Sequence, residues 1–411
     1  MFFIYNIITY IVQFVLQIVA LFNKKISLFI KGRKESFSIL KDKINPNDKV
    51  FWIHVASLGE YEQGLPIMEK LKEKFPTHKI VLTFFSPSGY EVKKNNAIAD
   101  ATIYLPMDTN KNAKHFLQLV HPEKIFFVKY EYWPNYLNQI KKHKIPTYLV
   151  SGILRPDQVF FKSYGSFYRK ALDAFTYFFV QNQISRDLLN SIGKENVSIV
   201  GDTRFDRVSQ ILEKDNQLTF LDDFTNDKTV DTIVIGSSWP EDEKLIATYI
   251  NSHKENNVKY IFAPHNIKKE QIDNLVNALN VPTVLHSQHT NSDLKNTKVY
   301  IIDTYSLLTK AYSYATIAYI GGGFGSGIHN ILEAATYGVP VIIGPNYKKF
   351  QEAKDLISLG GCIVIKNQEE LDANFDRLLK NKAKCKELGA INNDFILRNK
   401  NATDKIIQHI F

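Results

Sequence analysis

From Val50 onward, short apolar runs alternate with longer stretches whose hydrophobic positions recur at helical spacing. The runs at 50–55, 79–84, 124–129, 147–151, 177–181 and 197–200 are rich in Val, Ile, Leu, Phe and Tyr with little polar alternation, the pattern of strands buried on both faces. A helical stretch at 60–74 separates the first two. A polar, Asp-rich passage at 214–231 interrupts the pattern, which restarts with runs at 232–235, 260–263, 299–302, 315–320 and 339–343. Strand and helix in alternation predict a parallel sheet covered on both faces. The interruption predicts two such α/β, doubly wound, Rossmann-like domains, 24–213 and 232–392, joined by a linker at 214–231. A last helical stretch, 393–411, is expected to pack back on the first domain.

Residues 1–23 stand apart. They carry no charge and are rich in Phe, Ile, Val and Leu, long enough as a helix to cross roughly 30 Å of hydrocarbon. Lys24, Lys25, Lys31, Arg33 and Lys34 follow at once, which places the remainder on the cytoplasmic side. The interspersed Asn6, Thr9, Gln13 and Gln17 equally suit a helix lying in the interface. Membrane attachment of one kind or the other is the expectation.

The stretch from Tyr319 to Pro345 carries the densest chemistry. A strand runs into a turn with five glycines, Gly321, Gly322, Gly323, Gly325 and Gly327, then a helix at 330–337 and another strand. Backbone N–H groups and a helix N-terminus aimed at one point stabilise a phosphate without a metal. Glu333, one turn into that helix, can accept two ribose hydroxyls, so the stretch reads as a nucleotide site. Close packing of a helix on a sheet would also explain the glycines. Ligands of doubly wound sheets bind beyond the carboxyl ends of the strands. In the first half that place is the turn from Val55 to Glu60, where Glu60 sits at a helix N-terminus, either facing a cleft between the domains or only complementing the helix dipole.

With 411 residues, 45% of them hydrophobic and 23% charged, the chain is long enough for more than one sizeable core. A net charge of +9 favours anionic partners. Cys362 and Cys385 lack metal-ligand spacing, so neither a disulfide framework nor a zinc site is expected. No Asp-x-Asp occurs to clamp a metal on a diphosphate, and no basic residues interleave with aromatics as a nucleic-acid platform would require.

Several short motifs, in order, carry a resemblance. They are Ser57-Leu-Gly59-Glu60, Ser86-Pro-Ser88-Gly89, Tyr104-Leu-Pro-Met-Asp108, Glu131-Tyr-Trp133-Pro134-Asn135, Gly201-Asp-Thr-Arg204-Phe-Asp206, Gly236-Ser237-Ser238-Trp239, and Gly322-Gly323 through His329-Asn330 to Glu333. In these the chain resembles the Kdo transferases, which move 3-deoxy-D-manno-oct-2-ulosonic acid (Kdo) from CMP-Kdo to the lipid A precursor. The resemblance implies an inverting GT-B glycosyltransferase with an N-terminal membrane-anchor helix, working at the cytoplasmic face of the inner membrane without metal or cofactor. By the same resemblance Glu60 is the catalytic base. The donor would be held by Gly322, Gly323, Gly325, Gly327, His329, Asn330, Glu333, Ser237 and Arg204, the tetraacylated acceptor by Ser57, Ser86, Ser88 and Glu131. Arg204 or Lys268 could neutralise the leaving phosphate. Glu131 beside Trp133 orders the acceptor site or caps a helix, and His54 is expected as a satisfied structural histidine. Three departures from the family pattern are Lys129 in place of a Glu, His265 within Pro264-His265-Asn266, and Ile153 where an Arg is usual. A transferase for another nucleotide sugar and a non-catalytic, membrane-anchored sugar- or nucleotide-binding protein are the alternative readings.

Overall fold

The computed structural model describes residues 2–291 and 293–411. The chain forms two compact units, Met1–Arg207 with Lys400–Phe411, and Val208–Asn399.

In the first unit, β1 (Val50–Val55), β2 (Lys79–Phe84), β3 (Ala101–Tyr104), β4 (Lys124–Val128), β5 (Thr147–Gly152), β6 (Tyr177–Val180) and β7 (Val197–Ile199) form a seven-stranded sheet ordered β3-β2-β1-β4-β5-β6-β7. All neighbouring pairs are parallel. All six residues of β1 are buried because the period of two sends alternate side chains into two cores. Trp52 joins Val81, Phe127 and Leu149 on one face, while Phe51 and Ile53 join Leu82, Phe126 and Val150 on the other. The strand order reverses between β1 and β4, which pair with His54 opposite Phe127. That reversal opens the crevice in which doubly wound sheets bind ligands.

The second unit repeats the design. Its strands β8 (Asp231–Ser238), β9 (Val258–Pro264), β10 (Thr283–Leu285), β11 (Val299–Ile301), β12 (Ile317–Ile320), β13 (Val341–Ile343) and β14 (Cys362–Val364) run in the order β10-β11-β9-β8-β12-β13-β14. Here the order reverses between β8 and β12, paired from Ile233 opposite Ile317 to Gly236 opposite Ile320.

Four helices of the first unit bear on the site: α1 (Phe2–Val19), α2 (Lys24–Lys43), α3 (Leu58–Lys74) and α4 (Pro87–Lys93). α1 is long and apolar enough to cross a membrane. Its polar face is tied to the globular body: the Tyr5 hydroxyl donates to Asp108 (2.7 Å), the Asn135 amide donates to Asn6 (2.9 Å), and Phe2 packs edge-on against Phe167. Its other residues remain largely exposed.

Two expected boundaries change. The expected linker at 214–231 contains the helix Thr219–Thr225, whose Leu221 and Phe224 are buried. The Tyr314 hydroxyl accepts the Leu218 N–H and donates to Asp222. These ties put the segment inside the second unit, and the units divide at Arg207 and Val208. The single helix expected at 393–411 is two, Lys382–Asn399 and Ala402–Ile410, of which only the latter belongs to the first unit. The break is at Asn401, with φ 77°. The Asp206 carboxylate accepts the N–H groups of Asn401 and Thr403 and the Thr403 hydroxyl, capping the last helix.

Candidate active site

At the strand reversal of the first unit, β1 ends in a tight turn into α3. Ser57 is the N-cap, its hydroxyl accepting the Glu60 N–H, which turns Glu60 back toward the strand end. The Glu60 carboxylate accepts the Ala56 N–H and is only 4% exposed. Burial, and then the neighbouring charge of Glu131, push its pKa up to about 7, against the Ala56 N–H and the Lys129 charge, which pull it down. A carboxylate that exchanges its proton near neutrality is suited to general base work.

The loop after β4 supplies the other half. It opens at Lys129, which takes a left-handed φ of 72°, and brings Glu131 and Trp133 against the end of β1. The Trp133 indole N–H lies 3.1 Å from both Glu131 Oε2 and His54 Nε2, and His54 Nδ1 meets the Thr83 hydroxyl at 2.8 Å. Thr83 in turn accepts the Trp52 indole N–H. His54 is fully buried with both ring nitrogens partnered, so it acts as a strut holding Glu131. The helix Pro134–His143 is capped at Trp133 with no side-chain cap bond, so Glu131 faces the His54 and Trp133 rings. Ser86 caps α4, with its hydroxyl 2.8 Å from that of Ser88. Arg204 lies in this unit too, its Nε donating to buried Asp202 (2.8 Å), which also accepts from Gln63 of α3.

In the second unit the glycine-rich loop follows β12. Gly322 and Gly327 take φ of 89° and 132°, and a Cβ on Gly323 would sit 2.6 Å from the Gly344 backbone, so these positions tolerate no side chain. Several loop amides turn inward rather than toward a ligand: Gly321 N–H donates to Gly236 O, Gly325 and Gly327 N–H to Gly322 O, and Gly322 N–H to Asp242. The helix is shorter than the expected 330–337, spanning Leu332–Thr336. Asn330 precedes it, its Oδ1 accepting the Leu332 N–H and its Nδ2 donating to Glu333 Oε1 at 2.9 Å. Thr309 donates to Glu333 Oε2 at 2.6 Å. The carboxylate expected to meet a ribose is therefore held by two neutral donors.

Asp242 is the residue the sequence pattern leaves out. Fully buried, it accepts the Trp239 N–H, the Gly322 N–H and the Tyr319 hydroxyl, so it clamps the glycine-rich loop to the start of the helix Pro240–Ser252. Burial pushes its pKa up while these three donors favour the carboxylate. The signal was present: Pro at the first helical position and Asp at the third mark a helix start. Just before it Ser237 adopts a φ of 52° at an irregularity in β8. Trp239, His265 and His329 stack, with ring centroids 4.9 Å and 4.4 Å apart along the series, and the Trp239 indole N–H donates to His329 Nε2 at 2.9 Å. Burial, and then His265, lower the His329 pKa to about 4. His329 is thus neutral at pH 7, and with Nε2 accepting, its proton sits on Nδ1. Beyond β12, β13 and β14 lies a cavity of about 1110 Å³ whose walls include Ser326, Asn346, Lys348, Lys349 and Lys366. Lys268, at the N-cap of the helix Lys269–Ala278, is exposed. Among the described residues no group of three or more His, Cys, Asp or Glu is placed to hold a metal ion.

Comparison with known proteins agrees with this architecture. The family model for 3-deoxy-D-manno-octulosonic-acid transferases matches residues 31–207. A 3-deoxy-D-manno-octulosonic acid transferase of Rickettsia bellii is 28% identical, over 93% of this chain and 92% of that protein. One of Aquifex aeolicus is 28% identical over 82% of this chain and 87% of that protein. Among solved structures, UDP-GlcNAc 2-epimerase of Neisseria meningitidis superposes with a TM-score of 0.61 at 16% identity, covering 88% of this chain and 99% of that one, a likeness of fold alone. Two parallel-sheet units of the GT-B type, with Kdo transferases aligned along most of the chain, make this protein a glycosyltransferase that is similar to the Kdo transferases.

Proposed function

We propose that the protein transfers Kdo from CMP-Kdo to the tetraacylated lipid A precursor, in lipopolysaccharide biosynthesis at the cytoplasmic face of the inner membrane, with Glu60 as general base. The observation that carries this reading is the Glu60 carboxylate itself, buried at the carboxyl end of a central strand with its pKa near 7. As the acceptor hydroxyl attacks C2 of Kdo, its proton passes to Glu60. The bond from C2 to the phosphate oxygen breaks, its electron pair leaves on CMP, and attack opposite the leaving group inverts C2. One base suffices for that step. Glu131, braced by His54 and Trp133, sets the charge felt by Glu60, and with Ser57, Ser86 and Ser88 it lines the acceptor side.

On the donor side Glu333 accepts the ribose hydroxyls, and the neutral Trp239–His265–His329 stack offers an aromatic face and the Nδ1–H of His329. Because amides of Gly321, Gly322, Gly325 and Gly327 are used internally, the phosphate is assigned to the segment after Gly327. The Kdo carboxylate is assigned to the lysines of the adjoining cavity. Incubation with CMP-Kdo and tetraacylated lipid A precursor, followed by mass spectrometry of the lipid, tests the reading. A product heavier by one or more Kdo residues is expected. No Kdo adduct, or an adduct formed only with another nucleotide sugar, would overturn it.

A further inference from the structure

A cavity of about 260 Å³ separates α1 from the body of the first unit. One wall is Ile8, Val12 and Leu16 of α1, spaced four residues apart along one face. At 1.5 Å per residue that stripe makes a groove about 12 Å long. The other wall is a run of aromatic rings, Phe29 of α2, then Phe85, then Trp133, with centroids 5.3 Å and 4.7 Å apart. Buried Arg33 fixes this wall from behind, lying over the Phe29 ring and donating to the Phe85 carbonyl (2.8 Å). The two ends of the groove differ. Trp133 at one end touches Glu131 through its indole N–H, and Glu131 is the charge that acts on Glu60. The Leu16 end runs on to exposed Leu21 and Phe22 and to the exposed apolar face of α1.

Such a groove leads from an apolar, membrane-type helix surface to Glu131, the neighbour of Glu60, and apart from Asp108, Thr9 and Tyr5, themselves hydrogen-bonded, its lining is apolar. Water gains little there, and the occupant that fits is a hydrocarbon chain. We infer that the groove between α1 and the Phe29–Phe85–Trp133 wall takes one acyl chain of the lipid acceptor, and that this seating delivers the acceptor sugar to Glu60. The inference rests on the proposed lipid acceptor and names the part of it that this unit binds. Acyl length then becomes a determinant of affinity: each buried methylene favours binding by about fourfold.

Two measurements test the inference. In the first, transfer is measured with acceptors that differ only in acyl length, at fixed detergent. The apparent KM is expected to fall about fourfold per methylene and then level off, and Val12→Trp, which fills the groove, flattens the series to the level of the shortest acceptor. A wild-type KM independent of length, or a Val12→Trp series matching wild type, overturns the inference. The second measurement needs no turnover. An acceptor analogue with a diazirine in one acyl chain is photolysed with the full-length protein, and labelled peptides are mapped. Labelling at Phe29 and Met107, lost in Val12→Trp and in Leu16→Trp, is expected; labelling confined to Phe3 and Phe14 on the outer face of α1 overturns the groove. Failure of Kdo transfer with correct labelling would sink the proposed reaction and leave the groove standing.

Discussion

Replacing Glu60 by Gln separates a catalytic carboxylate from one that merely complements a helix, because the two roles predict opposite signs. The Glu60 pKa stands at about 7 in the folded protein against an ordinary 4.5, a difference worth about 3 kcal/mol at 1.36 kcal/mol per pH unit. Between pH 4.5 and 7 the unfolded chain has already released a proton that the folded chain retains. Stability therefore falls as pH rises through that window, and above pH 7 the full cost of holding the buried carboxylate is present. A Gln at this position keeps an oxygen for the Ala56 N–H and does not titrate. Glu60→Gln is thus expected to raise stability at pH 8 by up to about 3 kcal/mol and to change it little at pH 4.5. A residue acting only on the helix dipole would instead lose about 0.3–1 kcal/mol at pH 8.

The assay is urea unfolding at both pH values, followed by tryptophan emission, which reports strongly on the first unit through Trp52 and Trp133. Turnover of CMP-Kdo is measured on the same preparations. It should fall by roughly 10²–10⁴-fold in the variant, while in wild type it rises with pH up to about 7 and then levels, following ionisation of Glu60. A variant that is less stable at pH 8 and retains near wild-type turnover would refute the reasoning on both counts.

Other expectations follow from the same contacts. Because the Glu131 charge raises the Glu60 pKa and the Lys129 charge lowers it, Glu131→Gln should move the rise of turnover to lower pH and Lys129→Met to higher pH; identical pH profiles for the two variants would disprove this coupling. Glu333→Ala should weaken CMP-Kdo binding by about ten- to a hundredfold, the loss of a charge-assisted contact of about 1.5–3 kcal/mol, and calorimetric titration with the donor shows whether it does. Gly323→Ala, whose Cβ would lie 2.6 Å from the Gly344 backbone, should lower the melting temperature of the second unit, whereas Gly325→Ala, with 3.8 Å to its nearest neighbour, should not; equal melting of the two variants would contradict the packing described.

Much of the fold is legible in the sequence because the central strands bury both faces. The residues of β1 and most of those of β4 are buried, and such runs stand out against amphipathic helices. The edge strands β3, β10 and β14 have only four, three and three residues, too few to show a period. The helix Thr219–Thr225 is masked by its own aspartates, although Leu221 and Phe224 carry it into the core. The glycine-rich loop is legible as a loop, since left-handed φ and close backbone approach both demand glycine. The inward turn of its amides is not, because the partner of Gly322 is Asp242, eighty residues earlier in the chain.

The same distinction holds at Glu60, where it separates what a motif conveys from what sets the pKa of the residue. The Ser57 cap and the Ala56 N–H lie within four residues of Glu60, so the shape of the turn is local and readable. Taken alone, the Ala56 N–H would pull the carboxyl below its ordinary pKa, the wrong direction for a base at neutral pH. What reverses the sign is burial together with the Glu131 charge, and the position of that charge depends on β1 pairing with β4 so that His54 can brace Glu131. Lys129 then limits the shift. Where the Kdo transferase pattern has a second carboxylate, this chain carries a cation, so the Glu60 carboxyl is poised by a balance of Glu131 against Lys129 that neither motif displays by itself.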